Sequence, residues 1–232
     1  MSVRISHSPL DPLIGPKLKA LYPKLHIPAV FPPEGIVLVG HALAFAGAVG
    51  FAFSLEFWWG GLLAAAGILG NHTADCIDGT HARATGQCRH GGELLDHFTD
   101  PLSFSYWLVG IALAIGQPVW GMAALIVLFG HAVLTNIKAK LVDRFELARF
   151  GPTEFKTLLA TAGIVLSGLN LYPGGTVDSL VARYGFFALV IGGGVGLLVQ
   201  LVRAVAEVNR SSKPVDDQPW VITGPGSQRS VD

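Results

Sequence analysis

The chain has 232 residues, of which 51% are apolar, 14% are charged and 29 are glycine. About a quarter of the residues of an ordinary soluble domain are charged, so this composition excludes that class and points to a protein solvated by lipid. The formal net charge is zero, which gives no electrostatic basis for binding nucleic acid.

Residues 1–33 are polar or mixed and show no cleavable signal pattern. Within them, residues 10–25 interleave Leu and Ile with Lys and Pro. This predicts a short cytoplasmic segment lying in the membrane interface, although Pro12, Pro16 and Pro23 oppose one continuous helix. Residues 34–206 follow as a transmembrane domain. A membrane span takes roughly 20 mostly apolar residues, and six runs qualify, near 35–55, 58–74, 95–115, 119–137, 155–172 and 182–205. The expected fold is therefore an all-α integral membrane protein with six transmembrane helices and a short interfacial N-terminal segment. Residues 207–232 are polar and predict a disordered cytoplasmic tail.

Six spans place both termini on one side, together with the loops around residues 75–94 and 138–154. Every Lys and Arg except Arg183 falls in those segments or at the adjoining span ends. The positive-inside rule then makes this face cytoplasmic, with Trp58, Trp59 and Trp120 at the opposite interface. Cys76 and Cys88 both lie on the reducing side, which argues against a structural disulfide.

The chemistry concentrates between the second and third spans, in Asp75-x2-Asp78-Gly79-x2-Ala82-Arg83-x8-Gly92-x3-Asp96-x3-Asp100. Asp75 and Asp78 share one helix face, and Asp96 and Asp100 another. Gly79, Gly86, Gly91 and Gly92 lie in the connection, so the two helices can turn back and pack antiparallel. Carboxylates at the edge of hydrocarbon are costly unless neutralised. With no Lys in the stretch, an external cation is expected, and hard oxygen ligands suit Mg²⁺, Mn²⁺ or Ca²⁺. Arg83 adds a bidentate phosphate donor, and Gly79 allows close approach of a nucleotide.

Two other readings compete. Intramembrane acids also mark cation or proton transporters, although here the acids sit at the membrane edge. Cys76, His81, Cys88 and His90 offer zinc-type ligands, but their spacing matches no compact module.

The spacing DxxDGxxAR-x8-GxxxDxxxD resembles the signature of the CDP-alcohol phosphotransferase family, and all eight specified positions are present. The resemblance extends over residues 30–205. It implies a homodimer of six-helix subunits, a CDP-linked donor, a lipid or alcohol acceptor, and one or two Mg²⁺ or Mn²⁺ ions. It further implies that Asp75, Asp78, Asp96 and Asp100 hold the metal. Gly79, Ala82, Arg83 and Gly92 would face the CDP moiety, and Asp100 would be the general base. The stretch Gly92-Glu93-Leu94-Leu95-Asp96-His97 looks like the GELFDH segment of choline and ethanolamine phosphotransferases, and Gly151-Pro152-Thr153-Glu154 is similar to the GPTEG segment of plant aminoalcohol phosphotransferases. In that branch Glu93 and His97 are candidates for deprotonating the acceptor hydroxyl, as a base and its orienter four residues apart. Departures also stand: residues 33–37 read Pro-Glu-Gly-Ile-Val, without the Asn and Thr common before the first span.

The implied reaction is transfer of a phosphoethanolamine- or phosphocholine-type headgroup from CDP to a diacylglycerol-like lipid, with release of CMP. The alternative moves a phosphatidyl group from CDP-diacylglycerol to glycerol phosphate, inositol phosphate or serine. Lys138, Lys140, Arg144, Arg149 and Lys156 lie on the correct face to receive a phosphorylated acceptor, or they are flanking charges of the positive-inside kind.

Overall fold

The computed structural model describes residues 3–171 and 176–210. The expected tail of 207–232 therefore falls, from residue 211 onward, outside the described residues. The chain order is β1 (Val3–Ser6), α1 (Asp11–Lys19), a 3-10 turn at Tyr22–Leu25, α2 (Pro33–Ala52), α3 (Trp58–Thr85), α4 (His90–Ala114), α5 (Pro118–Val142), β2 (Arg144–Leu147), α6 (Pro152–Asn170) and α7 (Thr176–Arg210). The fold is all-α apart from one two-stranded ribbon.

Proline and glycine punctuate these elements. α2, α5 and α6 each begin on a proline, whose missing N–H is unneeded in a first helical turn. α3 stops at Gly86, which adopts φ 71° and donates its N–H to Ala82 O. That left-handed stop suits a residue without Cβ. At the start of α6 the Glu154 carboxylate reaches back to accept the Gly151 N–H at 2.9 Å, as in half of a capping box. Pro101 lies inside α4 directly after Asp100, where it removes one helical hydrogen bond.

α2, α5 and α7 are long and apolar enough to cross a membrane by length and composition. Their outward positions are apolar and exposed, including Leu38, Ile126 and Val202. A surface of that kind needs lipid or another protein to cover it.

α3 runs through the middle of the bundle because its small residues admit neighbours on two sides. On the α2 side, a Cβ built at Gly67 would stand 2.6 Å from Gly47 Cα. On the α6 side, one built at Gly163 would stand 2.5 Å from Gly61 O. Such close backbone approach substitutes for a hydrophobic driving force between membrane helices. Around this crossing lies the core of Ala44, Phe51, Ile68, Trp107 and Leu159. The Trp107 indole N–H donates to Ala44 O at 2.9 Å and so ties α4 to α2.

The N-terminal segment is built differently from the expected interfacial strip. β1 pairs in parallel with β2, Val3 opposite Arg144 and Ser6 opposite Leu147. α1 is short and is separated from the 3-10 turn, as its prolines require. Ser8 donates to the Glu154 carboxylate, and Thr153 Oγ1 donates to Asp11 Oδ1 at 2.5 Å. The segment is thereby latched to the start of α6. Burial pushes the Asp11 carboxyl up, but the hydroxyls of Ser6 and Thr153 outweigh it and hold the group below the ordinary carboxylate value.

Candidate active site

The expected convergence takes place for three aspartates, but not by packing of α3 on α4: both helices lie along α2, which brings their aspartate-bearing turns to one cleft. Asp75, Asp96 and Asp100 each present an oxygen within 4.8 Å of the others. Asp78 lines the same cleft but stays outside that cluster; its Oδ1 accepts the Gly79 backbone N–H. The cleft is narrow, with about 10 Å³ open to a water-sized sphere, and is also lined by Val37, Gly40, His41, Asn71, Thr99 and Ser103.

The inference that the carboxylates lack an internal cation is corrected by the fold. Lys156 of α6 enters the cluster, with Nζ 2.8 Å from Asp75 Oδ2 and 3.4 Å from Asp100 Oδ1. Its side chain is only 2% exposed. The lysine stands 81 and 56 positions from its partners, so no local spacing revealed it. The available signals were its place just after the Gly151–Glu154 stretch and its membership of the basic set on the aspartate face.

One ammonium does not balance this site. Four ionised carboxylates and one lysine sum to a charge of −3, and two carboxylates some 4.8 Å apart repel by roughly 3 kcal/mol at an effective dielectric of 20. A dication fits both the charge and the spacing. Oxygens on opposite sides of Mg²⁺ lie about 4.2 Å apart and those around Ca²⁺ about 5 Å, so the cluster matches hard-cation dimensions with little closure. His72, one turn before Asp75 and buried, places Nδ1 3.7 Å from Asp75 Oδ2. Neither of its ring nitrogens makes a hydrogen bond among the described residues.

The remaining candidates occupy separate positions. The Arg83 guanidinium folds back beside Gly79, where a Cβ would meet Nη1 at 3.3 Å. Ala82 is half-buried on the same last turns of α3. Gly92 sits in the first turn of α4, beside Glu34, which pairs with Arg89 at 2.9 Å. Glu93 and His97 lie on α4 outside the cleft lining. The His97 ring stacks on Phe145 of β2, with centroids 5.3 Å apart and planes 18° apart. Neither residue lines the cleft, although the three- and four-residue spacings put Glu93 and His97 on the flank of the face shared by 96 and 100.

The zinc alternative does not assemble. Both ring nitrogens of His81 are occupied: Tyr22 Oη lies 2.9 Å from Nδ1, and Nε2 lies 2.8 Å from Phe31 O, which can only accept. Cys88 is exposed, while Cys76 sits half-buried on α3. Three of the five residues of the basic face, Lys138, Arg144 and Lys156, are held by carboxylates, while Lys140 and Arg149 are exposed. Lys138 pairs with Glu146 and Glu207 at 2.9 and 2.7 Å, and Arg144 pairs with the same two at 2.7 and 3.0 Å.

A cluster of acids on long apolar helices, facing one cleft, is an arrangement that could hold a hard cation. The family model described as CDP-alcohol phosphatidyltransferase matches residues 37–198, and the chain belongs to that family. It is similar to cholinephosphotransferase 1 of Mus musculus, with 29% identity over 199 residues, covering 73% of this chain and 50% of the mouse protein. It is also similar to the Homo sapiens protein of that name, with 31% identity over 163 residues, covering 60% of this chain and 39% of the relative. The chain thus spans half the length, or less, of these two relatives.

Proposed function

We propose that this protein is a membrane phosphotransferase that moves an ethanolamine- or choline-type phospho-headgroup from a CDP-alcohol to a diacylglycerol-like lipid, releasing CMP. The observation that carries this reading is the meeting of Asp75, Asp96 and Asp100 in one cleft that also holds Asp78. It is supported by the family membership and by the similarity to cholinephosphotransferases. In this reading all six long helices α2–α7 span the bilayer, both termini and the cleft face the cytoplasm, and the chain works as a homodimer.

The aspartates Asp75, Asp78, Asp96 and Asp100 would hold one or two Mg²⁺ or Mn²⁺ ions, which supply charge neutralisation on the transferring phosphoryl group. Arg83 binds a diphosphate oxygen through its guanidinium fork. Gly79, Ala82 and Gly92 leave room for the cytidine and diphosphate to lie against α3 and α4. The acceptor oxygen bonds to the β-phosphorus as the bond from that phosphorus to the CMP oxygen breaks. The hydroxyl proton passes to the Asp100 carboxylate, the member of the proposed base set that lines the cleft. Glu93 and His97 act from outside that lining, as supports for the start of α4. Lys156 holds Asp75 and Asp100 in place and limits their mutual repulsion.

Transfer in the other direction, to a phosphorylated alcohol, needs a free basic pocket; of that basic set Lys138, Arg144 and Lys156 are committed to carboxylates, which leaves the exposed Lys140 and Arg149. The test is product analysis with purified protein and Mg²⁺. CDP-ethanolamine or CDP-choline with diacylglycerol should yield CMP and a phospholipid. CDP-diacylglycerol with polar alcohols should yield none. No CMP from any CDP-linked donor would favour a transporter instead.

A further inference from the structure

The cleft does not end at the carboxylates. Its lining continues along α3 from Asp75 to Asn71 and along α4 from Asp100 to Ser103, with Gly40 and His41 of α2 on the third side. At 1.5 Å per residue, Asn71 lies about 6 Å beyond Asp75, toward the interior of the bundle. His41 Nδ1 is 3.1 Å from Ser103 Oγ, and its Nε2 is 2.9 Å from Tyr106 Oη. The Asn71 side-chain amide donates to Gly40 O at 3.1 Å and lies 3.4 Å from Ser103 Oγ. A carbonyl can only accept, so this contact assigns Nδ2 to Gly40 and turns Oδ1 the other way.

That Oδ1 is the odd atom of the network. Asn71 is 6% exposed, and its Oδ1 is buried and receives no hydrogen bond among the described residues. A carbonyl-type acceptor in an apolar surrounding is costly until a donor reaches it. The lining beyond the aspartates has no Lys or Arg, so nothing there suits a phosphorylated ligand. On its outer side the network borders the exposed apolar residues Leu38 and Phe45 of α2, the latter packed edge-on against Tyr106 at 6.1 Å. The site therefore combines one unmet acceptor, a hydroxyl–imidazole pair and an apolar flank.

We infer that Asn71 Oδ1, with Ser103 and His41 beside it, receives the free hydroxyl of a diacylglycerol-type lipid. The inference rests on the headgroup-transfer reading, for which it supplies the acceptor subsite. A single hydroxyl is the donor the network lacks, and its glyceride chains match the apolar flank. Docked there, the hydroxyl would stand one helical turn from the carboxylate cluster and would advance to it for transfer, exchanging Asn71 for Asp100 as the acceptor of its hydrogen.

The test compares binding of 1,2-dioleoylglycerol with binding of its 3-O-methyl ether to the full chain in nanodiscs, read by native mass spectrometry. The unmodified protein should prefer the free hydroxyl by about tenfold, the scale of one buried hydrogen bond. Asn71→Leu should bind the two lipids equally. Equal binding by the unmodified protein overturns the proposal, whatever the variant does, and so does a preference that survives in a folded Asn71→Leu protein. In turnover, Asn71→Leu should raise KM for diacylglycerol about tenfold and leave KM for the CDP-linked donor unchanged. Product formed normally with an unchanged diacylglycerol KM would sink the subsite alone. Absence of any lipid product from the unmodified protein would sink the headgroup reading, while the ether comparison would still decide the subsite.

Discussion

The Lys156 ammonium stands 2.8 Å from Asp75 Oδ2, joining α6 to α3 inside the carboxylate cleft. It also reaches Asp100 of α4 at 3.4 Å, so one side chain links the three helices that frame the site. A buried lysine persists only where carboxylates compensate its lost hydration. The same carboxylates are stable near one another only where a cation compensates them.

Replacing Lys156 by Met tests this mutual dependence. Breaking a buried pair by removing one partner costs about 3–5 kcal/mol, so the variant should melt well below the parent protein in metal-free buffer. Added Mg²⁺ should restore more of the melting temperature in the variant than in the parent, because a dication takes over the missing charge. Equal Mg²⁺ shifts in both proteins would show that Lys156 and the ion do not share ligands.

Asp96→Asn and Asp100→Asn should each lower CMP release by at least ~10³-fold while leaving a monodisperse protein, since charge and geometry are both lost at the cluster. Asp78→Asn should cost less, because Asp78 stands outside the group of oxygens that converge. Steady-state assays on the three variants provide the ranking. Near-normal turnover in Asp96→Asn would remove that residue from the site.

His97→Ala separates two sources of the base. Since the His97 ring lies on Phe145 and away from the cleft lining, the variant should keep turnover within about fivefold of the parent, against a general-base contribution of 10²–10⁴-fold. A loss of a hundredfold or more, with a changed pH profile, would assign the proton transfer to His97 instead of Asp100.

The N-terminal latch should respond to acid. Asp11 is held below the ordinary carboxylate value by Ser6 and Thr153. A depressed folded-state value means the contribution is fully present above the unfolded value near pH 4 and is lost as pH falls through the lower folded one. Hydrogen exchange at Val3–Ser6, corrected for intrinsic rate, should therefore stay slow at pH 5 and rise below pH 4. In Asp11→Asn it should be fast at both.

Gly163→Val should separate α3 from α6. Its Cβ would meet Gly61 O at 2.5 Å, backbone against backbone, with no flexible side chain to yield. The variant should lose at least about 3 kcal/mol or fail to fold. Parent-like melting behaviour would contradict the packing of α3 on α6.

Much of this molecule was legible one residue at a time. Apolar runs mark the long helices because partition into hydrocarbon is a property of composition and length. The paired spacings of Asp75 with Asp78 and Asp96 with Asp100 place each pair on one face because the helical repeat is local. Of the four glycines read as a connection, Gly86 alone stops a helix, for equally local reasons, while Gly79 lies within α3 and Gly91 and Gly92 within α4.

Other features were decided by packing between segments far apart in sequence. Spacing alone treats the four aspartates alike, whereas the packing of α3 and α4 along α2 gathers three and leaves Asp78 at the side. Lys156 reads as one more flanking charge until the Gly61–Gly163 approach carries α6 against α3 and buries it. His97 looks like a base until β2 offers Phe145 as its neighbour. In each case the deciding interaction is Coulombic or steric and acts at a few ångströms. Only the folded bundle brings those groups within that range.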